Sequence, residues 1–308
     1  MTAAAASTSV DVEIEGRQLK LSNLDKVLYP EAGFTKGQVI DYYTRVAPAL
    51  LAHLADRALT LKRYPNGVDG QFFYEKNCPK HRPDWVATVG VWSQRNKADV
   101  NYCLCNDLPC VVWVANLASL ELHTMLSRAG DIQQPTMVVF DLDPGPPATI
   151  VECARVALWI RELLDGWGLQ SFPKTSGSKG LQLYVPLNTP VTYNETKPFA
   201  HAVAKRLEDE HPEEVLSVMA KDLRKGKVFI DWSQNDDSKT TVCVYSLRAR
   251  PQPTVSTPVG WDEVAGVLDA GDPALLSFEA TDVLGRVQKD GDLFAPVAEL
   301  EQSLPDPV

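Results

Sequence analysis

The run Val138-Val139-Phe140-Asp141-Leu142-Asp143-Pro144-Gly145-Pro146-Pro147 constrains this chain more than any other stretch. An apolar segment of strand length stops at a proline-rich turn, which cannot continue a ladder. In a strand, side chains two apart share a face, so Asp141 and Asp143 stand together while Leu142 points the other way. Two carboxylates that close repel unless something positive lies between them. Three readings are open for such a pair: a divalent-metal site, a general acid/base pair, or a solvated turn that happens to hold two acids.

The surrounding pattern mixes strands and helices. VDVEIEGRQLKLS alternates apolar and polar residues around Gly16, as a hairpin does. Thr35 reads as the N-cap of a helix with Val39, Tyr42, Tyr43, Val46 and Leu50 at helical spacing. Strands ALTLKRY and QFFYEK flank the turn PNGVDG, and CVVWVANLASLELHTML reads as a buried helix running into a strand. A strand over 136–142 precedes an amphipathic helix carrying Ile150, Cys153, Ala157, Ile160 and Leu164, then two strands around TSGSKG. A helix over about 195–210 and strands VFIDW and TVCVYSLRA follow. The last fifty residues read as helical and acidic. The expected class is therefore α/β (α+β), with mixed or antiparallel central sheets flanked by helices.

The formal net charge of −10 speaks against nucleic acid only if the charge is evenly spread, and it is not. Residues 17–97 hold 13 Lys and Arg against 7 Asp and Glu, whereas residues 254–308 hold 2 against 11. One lobe can thus present a basic surface and another an acidic, solvated back. No apolar stretch reaches membrane-spanning length, and MTAAAASTS lacks the basic start and apolar core of a signal peptide, so a cytoplasmic location is expected and a membrane partner is not. Six irregularly placed cysteines fit reduced, buried thiols; Cys78, His81, Cys103, Cys105 and Cys110 do not have paired zinc-ligand spacing.

A third acid, Asp231 in VFIDWSQND, also ends an apolar strand. Hard cations such as Mg²⁺ and Mn²⁺ take oxygen ligands, so three acids ending adjacent strands would make a metal platform. The turn Thr175-Ser176-Gly177-Ser178-Lys179-Gly180 offers hydroxyls, backbone N–H groups and an ammonium, which suit phosphate oxygens. It is not a P-loop, since the glycine-lysine order differs and a strand follows it.

Taken in order, D-x-D, SGSKG and the single Asp231 resemble the catalytic core of the archaeo-eukaryotic primase superfamily, and specifically the polymerase domain of bacterial ligase D. SNLDKVLYP, TLKRYPNGVDGQFFYEKN, PKHRPDWV, LELHTMLSR and YSLRARPQPTVSTPVGWDEV extend the likeness over nearly the whole chain. The resemblance implies one primase-polymerase domain over 10–308, after a disordered 1–9. Within it lie a basic N-terminal lobe (10–130), a catalytic core (131–255) and an acidic helical segment (256–308).

It further implies a DNA-directed polymerase that extends primers at gaps or double-strand breaks with NTP or dNTP, using two divalent ions, Mn²⁺ or Mg²⁺. Asp141, Asp143 and Asp231 look like its metal-binding triad. Ser176, Lys179 and Arg248 look like triphosphate ligands, and His123 matches a histidine near the incoming nucleotide. Phe72 and Phe73 resemble a base-stacking pair; adjacent strand residues diverge, so one is expected in the core. Asn23, Lys26 and Lys36 match residues that hold the 5′-phosphate of a downstream DNA strand. Lys62 and Arg63 are similar to residues near the nucleotide and template, and Arg224, beside Lys221 and Lys225, matches a site position. One departure is Gln182 in GLQLYV, where the family has a histidine that donates to a triphosphate oxygen; glutamine donates but carries no charge.

A monomer is expected, with any ligase or other end-joining protein a separate partner, since no such sequence follows position 308. Two other functions share part of this pattern. A haloacid-dehalogenase-like phosphatase also ends a strand with paired acids, but places Thr or Val where Gly145 stands. A module that binds 5′-phosphorylated DNA ends with weak catalysis would use the lysines and leave the acids idle.

Overall fold

A computed structural model describes residues 9–305. β1 (Ser9–Ile14) and β2 (Arg17–Ser22) form the expected hairpin, turning at Glu15 and Gly16, both with positive φ as such turns require. The disordered start expected for 1–9 lies outside the described residues, except at Ser9, which opens β1. A short pair, β3 (Val27–Tyr29) and β4 (Phe34–Thr35), delivers the chain to α1 (Lys36–Leu54). A capping box starts that helix: the Thr35 hydroxyl accepts from the Gln38 N–H, and the Gln38 side chain accepts from the Thr35 N–H at 2.8 Å.

β5 (Leu59–Arg63), β6 (Phe73–Glu75), β7 (Thr88–Ser93), β8 (Ala98–Cys103), α2 (Leu108–Asn116) and β9 (Ser119–Thr124) come next. After the small β10 (Ser127–Arg128) and β11 (Asp131–Pro135) runs β12 (Met137–Pro144), the strand of the two acids. α3 (Ile150–Gly166), β13 (Phe172–Thr175), β14 (Leu181–Pro186), α4 (Tyr193–Glu210), β15 (Val215–Leu216), β16 (Val228–Asp231) and β17 (Thr241–Val242) complete the sheets. The chain closes with α5 (Trp261–Ala270), α6 (Ala280–Asp290) and α7 (Ala295–Glu299).

Two sheets organise the molecule. One has the order β17-β9-β5-β8-β7, with β6 paired to β5; the other has the order β13-β14-β12-β16-β15 and is antiparallel except at β15–β16. Each has its own apolar core. Val138, Phe140 and Leu142 of β12 pack among residues of α3 and α4, whereas Val139, on the opposite face, belongs to the core built on the first sheet and α1. Asp141 and Asp143 share Val139's face by strand alternation, so they look into the space between the two sheets.

Two expectations need correction. Cys78 and Cys103 form a disulfide, and only Cys105, Cys110, Cys153 and Cys243 are free, buried thiols. The Cys78 N–H donates to Asn101 O at 2.6 Å, which lays the segment after β6 against β8 and brings the two Cα atoms to 5.0 Å. The segment TVCVYSLRA is a strand only at Thr241–Val242, because Tyr245 adopts φ 64° and breaks the ladder; Leu247 then bridges to Val255. No helix is long and apolar enough to cross a membrane among the described residues.

Candidate active site

β12 lies between β14 and β16, and the register sets Asp141 opposite Gln182 on one side and opposite Asp231 on the other. Gln182 in turn faces Lys174 of β13. A polar row, Lys174–Gln182–Asp141–Asp231, therefore crosses four strands, with Asp143 one pleat further along. Burial pushes the Asp141 carboxyl well above the usual carboxylate range; Asp143 and Asp231 add to this, and a hydrogen bond from Gln182 opposes it. Asp143 is raised too, by burial and by Asp231, with Arg224 pulling the other way.

The three carboxylates line one face without closing on a point, and no ready-made ion cage of three acid, His or Cys side chains occurs among the described residues. Asp231 accepts from the Ser233 hydroxyl (2.6 Å), the Ser233 N–H (3.0 Å) and the Gln234 amide (2.8 Å), while Asp143 leans toward Arg224, 3.8 Å away. The donors are all hard oxygens at a site whose negative charge is under-compensated, and that chemistry fits Mg²⁺ or Mn²⁺.

The turn after the acids is shaped by a backbone junction. The Gly145 N–H donates to Lys227 O at 2.8 Å, and the Gly226 N–H donates to Gly145 O at 3.0 Å. A Cβ on Gly145 would lie 1.8 Å from the Arg224 carbonyl oxygen. Glycine at 145 thus lets the arm bearing Arg224 close over the strand end, where its guanidinium also stacks on Phe229, 4.0 Å from the ring centre.

Facing the acids is the loop between β13 and β14. The Ser176 hydroxyl accepts from the N–H groups of Ser178 (3.2 Å) and Gly180 (3.1 Å), which curls the loop and leaves Lys179 exposed. Gly177 has φ 66°, and a Cβ there would come within 2.6 Å of Val255. Arg248 donates to Ser176 O at 2.7 Å. Arg224 buries an Nε–H that no acceptor satisfies, while the Arg248 Nε lies 3.4 Å from Glu121 Oε2. Guanidinium groups at the rim of a carboxylate face suit a ligand carrying phosphates.

The sequence did not single out Glu121, which organises the rest. It is 2% exposed and pairs with Lys62 (3.2 Å), His123 (2.9 Å) and Arg248 (3.4 Å), and it accepts from the Ala249 N–H at 3.1 Å. Burial works against its charge, but the His123 hydrogen bond and the charges of Arg248 and Lys62 outweigh this and hold it well below the usual range. Glu121 stands two residues before His123 in a strand, and that same-face spacing was the available signal.

Lys62 also lies 4.6 Å from the Phe72 ring centre and is bordered by Tyr64 and Tyr74. Both Phe72 and Phe73 are exposed, so the expectation that one is core fails. Phe72 precedes β6 and stacks on Tyr64 at 5.2 Å, while Phe73 lies under Arg63. Lys62 and Arg63 do diverge, as strand alternation requires, with Arg63 bound to Glu75 and Leu117 O.

The third group is separate. Asn23 (φ 54°) and Lys26 are exposed at the turn before β3, and Lys26 donates to Asn66. Lys36, at the start of α1, is buried with its ammonium on Ser22 O at 2.6 Å. Burial, then Lys26 and Arg63, lower its pKa to about 8, the mark of a cation held among cations.

Gln182 is 3% exposed; its amide oxygen accepts from Lys174 at 2.5 Å, and Asp141 is its register partner on β12.

The family model for the ligase D primase-polymerase domain matches residues 35–294. The multifunctional non-homologous end joining protein LigD of Mycolicibacterium smegmatis is 42% identical over 282 residues, which cover 91% of this chain and 36% of that protein. The bifunctional LigD of Bacillus subtilis is 32% identical, over 89% of this chain and 43% of its own length. The chain thus spans well under half the length of these curated relatives. A solved structure, the polymerase domain of Mycobacterium tuberculosis ligase D in complex with DNA, superposes with a TM-score of 0.86 at 42% identity, covering 92% of this chain and 99% of that one. By sequence and by fold, the chain belongs to the ligase D primase-polymerase domain family.

Proposed function

We propose that this chain is a template-directed nucleotidyltransferase that extends DNA primers at gaps and broken ends in end joining. The observation that carries the reading is the set of acids itself: Asp141 and Asp231 paired across strands, with Asp143 on the same face, before a loop pinned by Arg248. Asp141, Asp143 and Asp231 would hold two divalent ions, Mn²⁺ or Mg²⁺. When bound, such ions activate the primer 3′-hydroxyl and stabilise the charge developing on the leaving pyrophosphate.

The chain's own groups do the rest. Lys179, Arg248 and Arg224 grip the triphosphate, Ser176 shapes the loop beneath it, and His123 and Lys62 are oriented by Glu121 toward the nucleotide. Phe72 and Phe73 offer exposed rings for base stacking, worth ~1–3 kcal/mol per base and tolerant of sequence. Asn23, Lys26 and Lys36 take the 5′-phosphate at the far side of a gap. We place the basic lobe at 10–130, the catalytic core at 131–255 and the acidic helical segment at 256–308. The partners are 5′-phosphorylated DNA, NTP or dNTP and a ligase activity, and the setting is the cytoplasm of a bacterial cell, with the chain a monomer.

Primer extension on a gapped, 5′-phosphorylated duplex with Mn²⁺ tests this. The wild type should add templated nucleotides, and Asp141→Ala/Asp143→Ala should add none; undiminished extension by that variant would remove the acids from the mechanism. Lys26→Ala/Lys36→Ala should keep the chemistry and lose the preference for a 5′-phosphate.

A further inference from the structure

Lys174 is fully buried in the middle of β13, and nothing in the nucleotidyl-transfer reading uses it. Its ammonium meets three acceptors: Gln182 Oε1 at 2.5 Å, the Ser256 hydroxyl at 2.6 Å and Val242 O at 3.1 Å. Three acceptors match the three protons of an ammonium, so the group is placed as a cation. A lysine has donors only, so the amide oxygen of Gln182 has to face it. The amide is planar, and its nitrogen is thereby turned to the opposite strand, where Asp141 is the register partner of Gln182 and is stabilised in its charged form by that side chain against burial.

We propose that Lys174 is a positioning residue for Asp141, acting through Gln182: the ammonium fixes the amide so that its N–H, and not its oxygen, meets the carboxylate. This rests on the polymerase reading of the acids. A glutamine on its own can present either end to a neighbour, and an oxygen turned toward Asp141 would repel the carboxylate and swing it off the face it shares with Asp231. The lysine removes that freedom and polarises the amide it grips, so a neutral side chain passes part of a buried positive charge to the acid row. A buried, unpaired ammonium is costly to a fold, and three hydrogen bonds meet that cost only in part. Burial itself lowers the Lys174 pKa to about 7, with the charges of Cys243 and Asp141 opposing. A hydrocarbon of the same length would fill the position more cheaply were packing its whole role.

The test is a double-mutant cycle on the full chain, read by primer extension with Mn²⁺ and by thermal unfolding. Lys174→Met should lower kcat about tenfold or more while leaving the nucleotide KM within about threefold, the pattern of a misplaced reacting group and not of lost binding. In a Gln182→His background the same change should cost less than about threefold, because an imidazole can carry its proton on whichever nitrogen faces Asp141 and needs no lysine to choose. Equal losses in both backgrounds would mark Lys174 as merely structural and overturn the inference. Should Lys174→Met fail to fold, Gln182→Glu decides: it still accepts from Lys174 but turns an oxygen to Asp141, so a folded, inactive protein supports the inference and wild-type kcat refutes it. If the wild type extends primers and Asp141→Ala does not, yet these variants are unimpaired, only the role of Lys174 falls. If Asp141→Ala also extends, the polymerase reading falls with it.

Discussion

Asp141 is a residue the fold would rather keep neutral. Its folded pKa lies above the unfolded one, so the stability linked to its proton is present below the ordinary carboxylate range and is lost as pH rises through the folded value. In buffer with a chelator, Asp141→Asn should therefore be more stable than the wild type at pH 8, by on the order of 1–2 kcal/mol in urea unfolding, and the gain should vanish by about pH 4. No difference at pH 8 would mean that the carboxylates do not strain the strand. Glu121 is the opposite case, an acid that burial alone would neutralise and that a hydrogen bond with His123 and the charges of Arg248 and Lys62 keep ionised. The two acids of β12 were legible because alternation along one strand puts them on one face. Lys174 was not, because its partners Gln182, Val242 and Ser256 come from three other segments, and no local pattern records which strands will lie side by side.

At the scale of elements, the strand of the acids and the arm of Arg224 form one unit joined at Gly145. A side chain there collides with backbone, not with the end of a flexible chain, so the arm has to move. Gly145→Ala should cost about 1–3 kcal/mol by overpacking and lower kcat for primer extension well beyond what that instability explains, because Arg224 leaves Asp143. A variant with wild-type kcat would show that the arm is not needed closed. The strand, turn and helix around this junction were all readable from apolar period and proline placement. The reading of TVCVYSLRA as one strand failed for a reason that periodicity does not contain. Its apolar residues are buried, as a strand's would be, but by tertiary hydrogen bonds: the Tyr43 hydroxyl accepts from the Leu247 N–H at 3.0 Å, and the Ser256 N–H donates to Ser246 O at 2.9 Å. The Cys78–Cys103 pair was missed similarly, since a sequence separation of 25 gives no hint that β8 and the loop after β6 meet.

Over the whole molecule, the net charge of −10 is unevenly spread along the chain. Lys36 lies within the fields of Lys26 and Arg63, and its lowered pKa of about 8 means it loses its proton earlier than an ordinary lysine. The preference for a 5′-phosphorylated end should accordingly be full near pH 7 and fade by pH 9, measured as the ratio of affinities for phosphorylated and unphosphorylated gapped duplexes at constant salt. A ratio unchanged across that range would take Lys36 out of the phosphate site. The family and the acids were visible in the sequence because they rest on short motifs, whereas the pairing of distant segments had to be seen.

Three tyrosines from the first part of the chain show how far that pairing reaches. The Tyr29 hydroxyl donates to Arg248 O, that of Tyr42 to Tyr245 O, and that of Tyr43 to Leu120 O while accepting from Leu247. The segment that carries Arg248 has almost no ladder of its own, and these hydroxyls, some two hundred residues upstream, help to hold it in place. During synthesis the N-terminal helix must emerge and wait while the ribosome makes everything between, and contacts of such long sequence separation form late and slowly. The segment of Arg248 is thus among the last parts of the protein to be set, and a nascent chain displays its acids well before that arginine stands beside them.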